Sequence, residues 1–283
     1  MTKQLGKWFP VFVLPTLIAF LIAFLIPFIL GVGLSFTSFT TISDATFNGL
    51  ANYKAVFAKN SDFLRALWFT VKFTVVSILS VNLLAFLFAL VLTRGIRGTN
   101  FFRTVLFTPN LIGGIVLGYI WQLLINGILL RFGTDITVMA KYGFWGLVAV
   151  MNWQMIGYMM VIYIAGLQSI PGELKESAAI DGAGKWATLR HVVAPLLSSS
   201  FTICLFLTLT NSFKMFDQNY ALTGGAPGKE TSMLALDIFR TFYGSVGSEG
   251  VGQAKAVLFF VTVSLIALAQ VWLSKRNERK YSV

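Results

Sequence analysis

The chain has 283 residues, of which 56% are hydrophobic and only 12% are charged. Because charged residues make up about 25% of an average soluble domain, this composition excludes an ordinary soluble protein and favours one that crosses a membrane several times. The net charge of +11 does not make nucleic acid an expected partner. The basic residues lie in short segments beside apolar runs, a pattern typical of orientation in a membrane.

Six apolar runs are long enough to cross the hydrocarbon core, which takes about 20 residues of α-helix. In chain order they cover residues 8–36, 66–92, 104–126, 142–168, 192–213 and 256–273. The first is longer than the apolar part of a signal peptide, which favours a span. Five contain no formal charge, and the second contains only Lys72. We therefore predict an all-α, polytopic membrane protein with six transmembrane helices, forming a single domain over residues 1–283.

The distribution of Lys and Arg predicts the orientation of these helices. With the N-terminus in the cytoplasm, the cytoplasmic side holds twelve basic residues: Lys3, Lys7, Arg94, Arg97, Arg103, Lys175, Lys185, Arg190, Lys275, Arg276, Arg279 and Lys280. The outside holds seven: Lys54, Lys59, Arg65, Arg131, Lys141, Lys229 and Arg240. Since basic residues concentrate in cytoplasmic segments, we predict that both termini are cytoplasmic.

Residues 171–195 form the densest charged segment of the chain, between the fourth and fifth apolar runs. We predict a cytoplasmic loop whose first half is a short helix, with Pro171 in its first turn and glutamates near the positive end of its dipole. Small residues at helical spacing would let another backbone approach this helix closely. The candidate docking residues are Glu173, Glu176, Ala178, Ala179, Asp181, Gly182 and Ala183.

This loop also resembles a known family. Residues 176–183 read ESAAIDGA, and three further matching positions follow: Leu189, Val192 and Pro195. The pattern is similar to the EAA loop of ABC-importer permeases, from which it departs where Ser177 replaces an alanine, Leu189 a phenylalanine and Ser199 a second proline. In that family the loop is a coupling helix that fits into a groove of a cytoplasmic ATPase, so the resemblance implies the same role here.

Two segments predicted to be external resemble sugar-uptake permeases of the same class. Residues 48–53 read NGLANY, similar to the GLxNY segment that follows the first span in those permeases. Residues 213–227 read FKMFDQNYALTGGAP, similar to the FxxFDxxYxLTxGGP segment of maltose-permease-like first subunits, with Ala226 in place of a glycine. We expect residues 224–227 to form a tight external turn. Alternatively, the aromatic residues before it belong to an interfacial belt, which leaves Asp217 unexplained.

Motifs for enzyme chemistry are absent from the sequence. Residues 182–185 read GAGK, like the end of a phosphate-binding loop, but Ala179 and Trp186 occupy the positions of its first glycine and its magnesium-binding Ser or Thr. The only histidine, His191, lies in the basic loop, and no metal-ligand cluster is evident. We therefore predict a permease subunit that is not an enzyme and has no cofactor of its own, with ATP and Mg bound by partner subunits.

A cation-coupled secondary transporter of a small polar solute is the main alternative. Such transporters usually carry acidic residues within their spans, because the coupling ion must be bound and released there. No Asp or Glu falls inside the six apolar runs, which disfavours this alternative. Composition alone leaves a passive channel open.

Uncharged polar and aromatic residues within the spans are the candidates for binding a neutral sugar, by hydrogen bonds and by stacking on its C–H faces. The predicted substrate path comprises Asn82, Tyr119, Gln122, Asn152, Trp153, Tyr158, Asn211 and Phe213, together with the charged Lys214 and Asp217 at the end of the fifth span. Each could equally form a hydrogen bond between helices. Lys72 and Lys214 could pair with an anionic substrate or extend toward lipid headgroups.

Taken together, the resemblance implies an ABC-importer permease with a MetI-like fold, in the cell membrane of a prokaryote. It implies four kinds of partner beside membrane lipid: a second six-helix permease subunit, two cytoplasmic ATPase subunits, an extracytoplasmic sugar-binding protein, and a sugar or oligosaccharide as substrate.

Overall fold

The computed structural model of the chain describes residues 10–59 and 61–278, in which the regular secondary structure is helical apart from one short strand pair. Its helices are α1 (Leu14–Leu34), α2 (Ala51–Val56), α3 (Phe63–Leu92), α4 (Thr99–Phe107), α5 (Gly114–Leu129), α6 (Ala140–Ser169), α7 (Gly172–Ile180), α8 (Lys185–Leu196), α9 (Ser198–Phe213), α10 (Asp217–Leu222), α11 (Leu234–Gly244) and α12 (Glu249–Glu278). The antiparallel strands are β1 (Thr37–Ser38) and β2 (Thr46–Phe47). The start of the predicted first span at residue 8 and both chain termini lie outside the described residues.

Most of the predicted spans correspond to helices of sufficient length. Within the described residues, five helices are long and apolar enough to cross a membrane: α1, α3, α6, α12, and α5 when it is counted together with the 3₁₀ turn that extends it to Phe132. A further candidate is the pair α8 and α9, which meet at an angle of 70°. The mostly helical character predicted from composition is therefore confirmed.

The third predicted span, residues 104–126, is not one continuous helix. The chain leaves α4 at Phe107, makes one 3₁₀ turn over Thr108–Leu111, and resumes as α5 at Gly114. Pro109 lies in this turn and cannot donate a backbone hydrogen bond, so it interrupts the α-helical ladder. The apolar run therefore contains two helices joined by a turn, and the Gln154 side chain donates to the Ile112 oxygen at 3.3 Å beside that turn.

The fifth predicted span, residues 192–213, begins within α8 and bends at Leu197. Residues Leu189–Val193 adopt a wider π-helical turn just before Pro195, whose missing N–H removes one bond from the ladder. The bend separates α8 from α9, which together form the further candidate span.

The chain packs as two compact units. The first comprises the described part of Met1–Phe63 together with Ile238–Val261. In it, Asn52 is buried and donates to the backbone oxygens of Ser35 and Thr37, at 2.9 and 2.8 Å. These bonds tie the NGLANY segment to the end of α1.

The second unit comprises Leu64–Asp237 and Thr262–Val283, described up to residue 278. Its core forms where α3, α6 and α9 pack together, and the buried stripe of α3 follows every fourth residue: Phe73, Ser77, Val81, Ala85 and Ala89. Gly157 of α6 allows α4 to approach closely, since a Cβ there would lie 1.9 Å from the Leu106 carbonyl oxygen. This packing holds the broken third span against α6.

Candidate functional site

The predicted docking helix is α7, and its C-terminal end explains the Asp-Gly-Ala part of the motif. Gly182 has φ +78° and donates its N–H to the Ala179 oxygen at 3.1 Å. The N–H of Ala183 reaches the Ala178 oxygen at 2.9 Å. These two bonds form a Schellman motif, in which a glycine in the left-handed conformation ends the helix. Gly182 therefore fixes where α7 stops and how the chain leaves it.

The outer surface of α7 is exposed. Within the described structure none of the residues of α7 is buried. Ile180, the last residue of the helix, is 87% exposed. Trp186, six residues later, is 71% exposed. The side chains of Glu173, Glu176 and Asp181 form no intrachain hydrogen bond or ion pair with any described residue. Acidic and apolar groups therefore face outward together, an arrangement suited to another protein surface.

The inner surface of α7 faces the second unit's own helices. Ala179 and Ala183 line a cleft of about 730 Å³, which we call the α7 cleft. Its other lining residues are Leu90, Thr93, Arg94, Leu167, Gln168, Ile170, Lys175, Lys185, Thr188, Leu189 and Val193. Two of the seven predicted docking residues thus line a space within this chain, while the acidic ones face away from it.

A second cavity, of about 390 Å³, lies where α9 ends and the third span is broken. We call it the polar cavity, and its lining residues are Asn110, Gly114, Met151, Gln154, Met155, Asn211, Lys214, Met215, Phe216, Asp217 and Gln218. Two glycines of α5 bring α10 against it: a Cβ on Gly114 would lie 2.6 Å from the Asp217 Cβ, and one on Gly118 2.6 Å from the Ala221 Cβ. Larger residues would push α10, and Asp217 with it, away from α5.

Three of the ten predicted path residues line the polar cavity: Asn211, Lys214 and Asp217. All three side chains are exposed. The Asn211 amide nitrogen donates to the Leu207 oxygen at 2.8 Å, which leaves its carbonyl oxygen as an acceptor. With one amine and one carboxylate, the cavity presents balanced charge together with several amides.

The other seven predicted path residues lie elsewhere. Asn82 is buried and connects three helices, since it accepts a bond from the Tyr163 hydroxyl at 2.9 Å and donates to Thr208 at 3.2 Å. Asn152 donates to the Ser80 hydroxyl at 2.9 Å, and its carbonyl oxygen is buried without a hydrogen-bond partner among the described residues. These two asparagines form hydrogen bonds between helices.

The remaining members of that set are the glutamine and the four aromatic residues. Gln122 donates to the Leu222 oxygen at 3.0 Å, and Phe213 is buried in the core. Trp153 of α6 is 42% exposed and packs edge-on against Trp121 of α5. Tyr158 packs edge-on against Phe107, and Tyr119 lies on an exposed face of α5.

Sequence reasoning did not single out Asn110 and Gln218 as cavity residues. Gln218 donates to the Gln154 oxygen at 2.7 Å, which joins α10 to α6 beside the cavity. Asn110 lies in the 3₁₀ turn after Pro109. The sequence did contain a signal for Asn110, since it directly follows Pro109 inside an apolar run. Irregular backbone within a membrane span is tolerated where it lines a cavity, so a proline beside an amide indicates such a place.

The FDQNYALTGGAP segment owes much of its pattern to a buried hydrogen-bond network. Asn219 is fully buried, donates to the Thr223 hydroxyl and the Thr231 oxygen, and accepts from the Met233 N–H. The Thr231 hydroxyl donates to the Ala226 oxygen at 2.7 Å. The expected tight turn is present, with positive φ at both glycines of residues 224–225. This network holds α10 in place beside the cavity.

Comparison with known proteins identifies relatives over nearly the whole chain. AmyD of Thermoanaerobacterium thermosulfurigenes, named a probable permease of a transport system for starch degradation products, is 43% identical over 96% of each chain. The multiple sugar-binding transport permease MsmF of Streptococcus mutans is 30% identical over 86% of this chain and 88% of that protein. The trehalose/maltose permease MalF of Thermococcus litoralis is 30% identical over 79% and 78%.

The fold also matches solved structures. A bacterial ABC transporter involved in the import of the acidic polysaccharide alginate contains a chain that superposes with a TM-score of 0.80, at 19% identity, over 97% of this chain and 98% of that one. A bacterial alginate ABC transporter in complex with an alginate pentasaccharide-bound periplasmic protein contains a chain with a TM-score of 0.75, at 20% identity, over 98% of this chain and 96% of that one. Residues 82–279 match the family model of binding-protein-dependent transport system inner membrane components. This chain therefore belongs to that family of ABC-importer permeases.

Proposed function

We propose that this chain is one of two permease subunits of an ATP-driven importer that moves a sugar or oligosaccharide into the cytoplasm. Three relatives that share 30–43% of their residues with it carry names for the transport of starch products, multiple sugars and trehalose or maltose. The polar cavity supports this assignment, because its lining contains side-chain amides that can form hydrogen bonds with sugar hydroxyls. Its one amine and one carboxylate balance each other in charge, which suits a neutral solute. The observation that carries the proposal is that α7 is exposed and is joined through α6 and through α8–α9 to helices that line the polar cavity at a distance from it.

The proposed topology has six spans, with the bent α8–α9 pair as the fifth and both termini in the cytoplasm, in a single permease domain over residues 1–283. In this arrangement α7 is cytoplasmic and the end of α9 lies toward the outside. A second permease subunit completes the translocation path, two ATPase subunits bind ATP and Mg, and an extracytoplasmic binding protein delivers the sugar. The chain itself has no cofactor and no catalytic role.

The connections of α7 explain how force would reach the cavity. Only Ile170 and Pro171 separate α7 from α6, and α8 joins it to α9. α6 contributes Gln154 to the cavity, and the other end of α9 contributes Asn211, about 20 Å along the helix axis from Ser198. Closure of the ATPase subunits would move α7 as a rigid body and tilt both helices. The cavity would then open to alternate sides.

Sugar uptake by the reconstituted importer tests this function. The complete complex, with its ATPase subunits and binding protein, is placed in vesicles, and ATP-dependent uptake of labelled maltooligosaccharides is measured. Asn211→Ala removes one hydrogen-bonding group, and a net bond of about 0.5–1.5 kcal/mol predicts a two- to tenfold higher half-saturating concentration. Lys54→Gln, an exposed change far along the chain from the cavity, is the control and should have no effect.

Two results would contradict the proposal. Uptake that proceeds without the ATPase subunits and follows a cation gradient would favour a secondary transporter. Uptake that is unchanged in Asn211→Ala, Lys214→Gln and Asp217→Asn alike would exclude the polar cavity as the solute site.

A further inference from the structure

The lining of the α7 cleft has an apolar part and a cationic part, and the coupling role of α7 explains neither. Its apolar part consists of Leu90, Leu167, Ile170, Leu189 and Val193. Its cationic part consists of Arg94, Lys175 and Lys185, and none of the lining residues is acidic. The cleft of about 730 Å³ is therefore amphipathic and carries three positive charges.

The cleft lies at the ends of two membrane-length helices. Leu90 is in the last turn of α3 and Arg94 follows two residues after that helix ends. Leu167 and Ile170 mark the end of α6. Apolar side chains from the ends of these helices thus meet one cation from the loop after α3 and two from α7 and α8. The ends of membrane-spanning helices lie where the hydrocarbon core gives way to headgroups.

Charge is segregated on α7 itself. Lys175 and Ala179 are one turn apart and both line the cleft, whereas Glu173 and Glu176 do not. Among the described residues, no carboxylate pairs with Arg94, Lys175 or Lys185. Three cations that have no acidic partner in the described part of the chain and line one concave site attract an anion, and phosphate is an anion that Lys and Arg bind well.

We propose that the α7 cleft binds an anionic phospholipid, with its phosphate against Arg94, Lys175 and Lys185 and an acyl chain along the apolar part. Basic pockets between transmembrane helices on the cytoplasmic side suit such headgroups. The inference rests on the membrane location of the chain and on α7 being cytoplasmic, and it does not depend on the transported solute. A bound lipid would brace α7 against the ends of α3 and α6.

Native mass spectrometry of the intact importer tests this proposal. The purified complex is titrated with phosphatidylglycerol or with phosphatidylcholine of the same acyl chains. The Lys175→Gln/Lys185→Gln variant should bind phosphatidylglycerol about 30-fold more weakly, because each cation near the surface contributes about a fivefold factor. The matched control, Arg97→Gln/Arg190→Gln, removes two exposed charges that do not line the cleft and should bind as the unmodified importer does.

Three results would overturn the proposal. The first is equal binding of the two lipids by the unmodified importer. The second is an equal loss in the test and control variants, which would indicate a non-specific charge effect. The third is displacement of phosphatidylglycerol by millimolar inorganic phosphate, which would identify a site for a soluble anion. The readout of this test is lipid binding and not transport. A negative lipid result would therefore not contradict the proposed sugar uptake, and a negative uptake result would not contradict lipid binding.

Discussion

Replacing Gly182 with alanine tests whether the end of α7 must have its observed conformation. Gly182 has φ +78°, and a Cβ there would meet no atom within 4 Å. The whole effect of the methyl group therefore comes from the backbone, where the left-handed conformation costs a residue with a Cβ about 1–2 kcal/mol. This penalty lowers the population of the observed conformation at the end of α7, relative to alternative conformations, by about 5- to 30-fold. Binding of the ATPase subunits should weaken by up to the same factor.

Gly184, two residues later, provides a matched control. It also has open space for a Cβ, but its φ of −67° suits any residue. ATP-dependent uptake and ATPase binding should fall in Gly182→Ala, remain unchanged in Gly184→Ala, and recover in part in Gly182→Asn, since asparagine tolerates the left-handed region. Equal activity of the two alanine variants would refute the reasoning, because it would show that the Schellman motif does not matter for coupling.

The remaining predictions concern the packing of each unit. A Cβ at Gly157 would lie 1.9 Å from a backbone oxygen of α4, so Gly157→Ala should lower the melting temperature in detergent by roughly 3–10 °C, whereas Gly127→Ala, in open space, should not. Asn82→Ala removes two hydrogen bonds between helices and should destabilise the protein by about 1 kcal/mol in denaturant titration. Tyr163→Phe removes one of those bonds and should have about half the effect, and an equal or larger loss would contradict the assignment. Asn52→Ala should speed hydrogen exchange of the segment after α1, and unchanged exchange would show that its two bonds to that segment do not hold it.

Local sequence signals predicted the α7 loop well, because its structure depends on nearest neighbours. Pro171 and Glu173 lie at the start of the helix, and Gly182 ends it, as their conformational preferences require. The apolar runs predicted helices for the same reason, since backbone groups in lipid must be satisfied within the segment. The family resemblance drawn from the EAA loop and the two other segments is confirmed by the family match.

The bends and the cavity could not be predicted from those signals. Pro15 and Pro27 lie within the span-length α1, whereas Pro109 lies in the 3₁₀ turn that separates α4 from α5, so a proline in an apolar run does not by itself predict where a helix breaks. Whether a proline interrupts a helix depends on which neighbours accept the freed groups, and that is decided by tertiary packing. For the same reason Asn82 and Asn211 have different surroundings, although both lie within apolar runs. Asn82 is buried between helices, whereas Asn211 lines the polar cavity.

Cross-linking from a single engineered cysteine tests the central claim that the outer face of α7 contacts the ATPase. The chain has one native cysteine, Cys204, which is buried and should not react. Ile180 and Phe132 are 87% and 78% exposed, but the proposed topology places them on opposite sides of the membrane. With a short bifunctional reagent applied to the assembled importer, Ile180→Cys should form a covalent adduct with the ATPase subunit and Phe132→Cys should not. An ATPase adduct at residue 132, or none at residue 180, would contradict the account.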